Sequence, residues 1–151
     1  MNNIYKTPDA ELVQPATSGN QLALYKISGV GIATFFGSLI AGGYLAAYNL
    51  KALGRHHEAR NVMITTVTAS ALLVIVSYTL PARFNLPGIA AGIVQTMIMV
   101  QFSKKWFAYD IASHMTNHGK MHSNWNAFGI SILFLLLLLG IIFLIAYFLA
   151  I

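Results

Sequence analysis

The chain of 151 residues contains no cysteine, four prolines and four acidic residues against nine Lys and Arg. Without cysteine there is no disulfide framework, no thiolate metal site, no iron–sulfur cluster and no cysteine nucleophile. Charged residues make up 9% of the chain, against roughly 25% in an ordinary soluble domain. A soluble globular enzyme, a nucleic-acid-binding domain and a disordered tail are all poor readings of that balance. Nothing resembles a serine or acid–base catalytic set, because only Glu58 and Asp110 sit near histidines. The net charge of +5 does not point to nucleic acid, since no basic stripe alternates with aromatics.

What the chain has in quantity is apolar sequence, 57% of its residues. Four stretches nearly free of charge run over about 27–50, 62–80, 86–102 and 127–151. A helix crosses a hydrocarbon core of about 30 Å in about 20 residues. The first and last stretches exceed that length, the second fits it, and the third is short. Strands are excluded by the missing alternation, and lipid leaves backbone groups no partner except their own helix. The expected fold is all-α: an integral membrane protein, a four-transmembrane-helix bundle over 27–151 behind a polar N-terminal arm over 1–26. That arm is too long and too polar for a cleaved signal, so the first helix is expected to be retained.

The loops between helices one and two (Lys51, Arg55, Arg60) and between three and four (Lys104, Lys105, Lys120) carry six basic residues. Lys6, Lys26 and Arg83 fall on the other side. The excess of positive charge on cytoplasmic loops therefore predicts both longer loops inside and both termini outside. Small residues crowd helix one, where Gly37 and Ala41 stand four apart and Gly42 and Gly43 follow; helix three offers Gly88 and Gly92. Such rows let helix backbones approach closely in lipid, and they are expected to pack helix one on helix three within one chain, with a dimer interface as the alternative. A nucleotide-binding glycine loop is not expected, because no strand or lysine-bearing turn accompanies these glycines.

Tyr25, Tyr48, Tyr78, Phe84, Trp106, Tyr109 and Trp125 mark the span ends as an interfacial belt. Trp106 and Trp125 are the expected anchors, and Ser123 or Asn124 the cap of the last helix. Gln95 is the one long polar side chain near mid-span, expected to donate a hydrogen bond across the bundle. No Asp, Glu, Lys, Arg or His lies in any of the four cores, which argues against proton-coupled transport.

One constellation has the residue types for chemistry. Asp110, His114, His118 and His122 stand four apart, so on one helix they would share a face. Two of these histidines could close on a divalent zinc, iron or copper ion with a carboxylate one turn away. His56 and His57 belong to the loop expected on the same side. Solvated surface histidines, or a cluster titrating near neutrality, fit the same spacing, and Gly119 weakens a helix through the run.

The stretch Phe36–Tyr44 with its Ala41-Gly42-Gly43-Tyr44 core, continuing through Asn49 to Leu53-Gly54, resembles the first helix of a group of small bacterial inner-membrane proteins of unassigned function. His122–Ile130 is similar to the segment leading into their last helix, and Leu80-Pro81 with Leu86-Pro87 to their middle turn. The resemblance implies a topology and a bacterial inner-membrane location, and no activity. The expected function is that of a non-enzymatic accessory or structural subunit working through helix packing in the lipid bilayer, with a membrane-protein partner or with itself. A metal- or proton-responsive protein using the histidine loop, and a small-solute transporter using the Thr and Ser residues of helix two, are the alternatives.

Overall fold

A computed structural model describes residues 22–79 and 88–150. Most of the N-terminal arm, the 80–87 turn with Arg83 and Phe84, and the Tyr78 side chain lie outside the described residues. The described residues are all-helical apart from one two-residue parallel pairing and short connections. In order the elements are β1 (Leu24–Tyr25), α1 (Ile27–Ala52), α2 (His56–Thr79), α3 (Gly88–Thr116), β2 (Met121–His122) and α4 (Asn124–Ala150). The stretches Ile27–Ala52, His56–Ser77 and Asn124–Phe148 are long and apolar enough to cross a membrane.

The first of these is not a straight rod. Ser38 stands at φ 86°, ψ 170°, a region that L residues rarely occupy and that costs about 1–3 kcal/mol. There α1 folds back on itself. The Asn49 side chain accepts from the Tyr25 N–H and donates to the Tyr25 carbonyl, both at 2.8 Å. At 1.5 Å per residue an unbroken helix would hold these residues about 36 Å apart. Gly42 likewise lies against the Thr34 side chain and the Val30 carbonyl of the first half. The expected straight span over 27–50 is therefore corrected to a helical hairpin, residues 27–37 and 39–52, whose two ends lie together. Its tip sits about 20 Å from them by the length of the second half.

The other three helices pack on this hairpin and touch one another only in passing. Small residues set how closely each approaches. Gly29 faces Ala127 and Gly37 faces the Ser131 backbone of α4; Gly43 faces Thr66 of α2; Gly31 faces Thr96 and Val100 of α3. A β-carbon at Gly37 would stand 2.7 Å from the Ser131 carbonyl oxygen, too close for any side chain. The expected rows four residues apart do not form continuous stripes, because the reversal at Ser38 sends their two ends to different neighbours. Helices one and three do pack within the chain, but so do one and two and one and four.

The helices extend beyond the apolar stretches. α2 begins at His56 rather than 62, since Arg55 and Glu58 pair across its first turn. α3 runs on past 102 to Thr116, with a break at Phe107 (φ −149°, ψ 18°) whose ring is buried. α1 ends with Gly54 at φ 79°, its N–H donating to Lys51 O (3.0 Å) and that of Arg55 to Leu50 O (2.8 Å). α3 ends the same way on His118 at φ 55°, with His118 N–H on Met115 O and Gly119 N–H on His114 O. These paired bonds satisfy carbonyls that a helix end leaves open.

Gly42→Ala should destabilise the protein by about 1–3 kcal/mol through overlap with the Thr34 hydroxyl. Adding Thr34→Ala should recover at least half of that loss in detergent unfolding. In a straight helix the two positions would be about 12 Å apart, so independent effects would rule out the hairpin.

Candidate functional site

At the open end of the hairpin the two ends of α1 meet the start of α2, the end of α3 and the start of α4. Asn49 is fully buried there, closed on Tyr25 as described. β1 pairs with β2 in parallel, Leu24 with Met121 and Tyr25 with His122, and the Leu24 N–H donates to Lys120 O at 3.1 Å. The Tyr25 ring stacks on His122 (centroids 4.3 Å, 20°) and meets Tyr48 edge-on (5.3 Å, 74°). Burial, then the neighbouring Tyr48 and Tyr44 phenols, push the Tyr25 hydroxyl above its ordinary range. It stays neutral in the junction.

A second junction is built around Arg55, which the glycine closure of α1 delivers to the start of α2. Its Nη1 donates to the Trp106 carbonyl at 2.6 Å and to Asp110 Oδ2 at 3.3 Å. The break at Phe107 interrupts the helix just after Trp106, and the guanidinium meets the carbonyl at that break. Arg55 also holds Glu58 through its Nε, at 2.7 Å, and its Nη2. Hydrogen bonding to Glu58 raises the Arg55 pKa, and the same bond lowers that of Glu58.

The residues expected to form a metal site are placed apart. α3 ends at Thr116, two residues before His118, so Asp110, His114, His118 and His122 do not share a helical face. Asp110 is engaged by Arg55. His114 Nε2 donates to the Lys120 carbonyl at 3.1 Å, and its ring leaves no room for a side chain at Gly119. His118 is exposed, His122 is in the tyrosine stack, and His57 Nδ1 lies 3.3 Å from Asn61 Nδ2. Among the described residues no three His, Asp or Glu side chains are grouped to hold one metal ion.

The other candidate positions fall as follows. Gly37, Gly42 and Gly43 make close approaches and Ala41 is buried beside Gly37; Gly92 has ordinary contact with Phe35; Gly88 faces open space. Ser123 Oγ accepts from the Trp125 N–H at 3.2 Å and so caps α4, while Asn124 Oδ1 accepts from Ser28 Oγ at 3.4 Å. Trp106 is half-buried, stacked on Phe102, and Trp125 is exposed. No site role is assigned from the sequence to Asn49, Arg55 or Ser38, although Arg55 counts among the basic loop residues. A lone Asn in an apolar stretch, and an Arg directly after Leu53-Gly54, were the available signals for the first two.

Beyond the hairpin tip α2 and α3 stand apart. A cavity of about 400 Å³ lies between them, bounded by apolar side chains such as Leu39, Leu72, Val76 and Ala91, with Gln95 as its one polar lining residue. Its chemistry is that of a hydrocarbon slot with one amide on its wall.

Asn49→Ala should cost about 2–4 kcal/mol, because the buried Tyr25 N–H and C=O both lose their partner. Arg55→Ala should cost less, about 1–2 kcal/mol, the guanidinium being partly solvated. The Glu58 carboxyl is lowered, so its contribution is present above the ordinary carboxylate range and lost as pH falls through its lowered value. Unfolding midpoints read against pH should therefore fall on acidification in the native chain and less in Arg55→Ala. No family model, curated protein or solved structure is found to match this chain.

Proposed function

We propose that the chain is a multi-pass integral membrane protein that performs no catalysis and works by packing its helices against another membrane-embedded chain. The single observation that carries this reading is the unfilled apolar interval between α2 and α3, with Gln95 on its wall. In lipid, helices associate through close packing and interhelical hydrogen bonds rather than hydrophobic burial. Gln95 is the one residue in that lining whose side chain can hydrogen-bond to a polar group on an inserted helix. α4 agrees with this: the described side chains from Leu139 to its end are all exposed.

In this reading α2 and α4 cross the bilayer, α3, which is not one of the three stretches named above, crosses as the short span, and α1 enters and leaves from one face as a re-entrant hairpin. The irregular backbone at Ser38 is half-buried at that depth, with Gly37 set against the Ser131 backbone of α4. Nine Lys and Arg occur in the chain. Lys6 and Arg83 lie outside the described residues, and the other seven (Lys26, Lys51, Arg55, Arg60, Lys104, Lys105, Lys120) cluster at the open end of the hairpin. We assign that end to the cytoplasm by the excess of positive charge. The beginning of α1 then lies inside and the C-terminus outside, in place of two external termini. The resemblance to small bacterial proteins favours the inner membrane.

The alternatives have less support. Metal sensing lacks convergent ligands among the described residues. For solute passage along α2, the hydroxyls of Thr66, Ser70 and Ser77 each donate to a carbonyl of their own helix, and Thr65 and Thr68 are on the exposed side.

The native chain has no cysteine, so single cysteines report cleanly. Cysteines at Lys26 and Ser123 should label from the cytoplasmic side only, and one appended after Ile151 from the outside only. Labelling of Lys26 and Ile151 positions from the same side would restore four crossings. A photo-crosslinker at Val76 or Val94 should trap a defined larger species in native membranes. Lipid adducts of a monomer at every loading would defeat the packing role.

A further inference from the structure

A groove of about 480 Å³ runs between the second half of α1 and the first turns of α2. Its construction follows from the glycine closure at Gly54. Reversing the chain there sets Lys51, in the last turn of α1, opposite His56 and Arg60, which stand one turn apart on α2. The floor is made by Ala47 and Ala59, both buried. Away from the basic rim the wall is Tyr44 and Met63. The groove is therefore cationic at its mouth and apolar along its length.

The charges at the mouth are not balanced from within. Glu58 and Asp110 are the acidic residues among those described, and Arg55 engages both. Lys51 and Arg60 make no ion pair among the described residues. The groove lies at the end of the molecule where the aromatic and basic residues gather, the level of lipid headgroups in the reading above. Two cations over an apolar slot complement an anionic phosphate carrying an acyl chain, and a free anion would leave the slot unused.

We propose that this groove binds an anionic phospholipid, its phosphate held by Lys51 and Arg60 and its first acyl carbons laid along Tyr44 and Met63. The inference rests on the membrane reading. Carbonate-resistant association, scored by alkaline carbonate extraction, tests that reading separately: release by carbonate would defeat the membrane assignment whatever binds in the groove.

The test uses the full chain purified in a neutral detergent and titrated with phosphatidylglycerol, with phosphatidylcholine of the same chains, and with soluble glycerol phosphate. Native mass spectrometry counts bound lipid and thermal unfolding reads the affinity. One retained phosphatidylglycerol and a midpoint raised by that lipid alone are expected. Lys51→Gln/Arg60→Gln should weaken its binding about tenfold or more, leave the lipid-free midpoint unchanged, and be rescued by Lys51→Arg with Arg60→Lys. Lys104→Gln/Lys105→Gln should bind as the native chain does. Equal response to phosphatidylcholine, or an equal loss in both double variants, would overturn the site. A full response to glycerol phosphate would overturn the lipid and leave a free-anion site.

Discussion

The two hydrogen bonds between the Asn49 amide and the Tyr25 backbone, each 2.8 Å, close the ends of α1 on each other, and the remaining helices take their positions from that closure. A chain reversed at Ser38 carries backbone strain at a non-glycine residue. It is held because both halves of α1 are buried along most of their length: Val30, Ala33, Ala41, Leu45, Ala46 and Leu50 are all nine-tenths or more buried. Buried polar groups offset their desolvation only when paired, and here an amide side chain takes the place of a backbone partner at Tyr25. The pairing then positions β1 against β2, and with it the end of α3 and the start of α4.

The hairpin divides the molecule into two unlike halves. Around its open end four helices, a parallel two-residue pairing and an aromatic stack converge, while along its length Gly31 and Gly43, and at its tip Gly37, let Val100, Thr66 and Ser131 come close. Towards its tip the space between α2 and α3 is apolar. The helix-packing role proposed above draws on this second half, where α4 side chains from Leu139 onward are exposed. Electrostatics follow the same division: Arg55 engages the described acids at the open end, which leaves Lys51 and Arg60 facing outward across a groove.

Much of this was legible in the residues. The helical class, the number of helices and the cap at Ser123 follow from apolar length, punctuation and the polar residue before Trp125. The common location of the two basic loops follows from an even number of crossings between them, and Arg55 reaching Trp106 and Asp110 places them together. The histidine run was misleading for a local reason. Spacing of four counts only while the helix lasts, and the left-handed closure at His118 ends it before the run is complete.

Composition and the order of the apolar residues determined that this chain is built of long apolar helices with no thiol chemistry and little charge, since those properties depend only on which side chains are present and how they are strung together. They did not determine where a helix turns round. A reversal inside an apolar stretch changes neither hydropathy nor length, and Gly37-Ser38 reads like any other small pair. Only tertiary contact decided it, because Asn49 meets Tyr25, Gly42 meets Thr34 and Gly37 meets Ser131 across separations in sequence that no local pattern encodes. From that single reversal follow the placement of the basic residues at one end, the open interval between α2 and α3, and the groove beside Lys51.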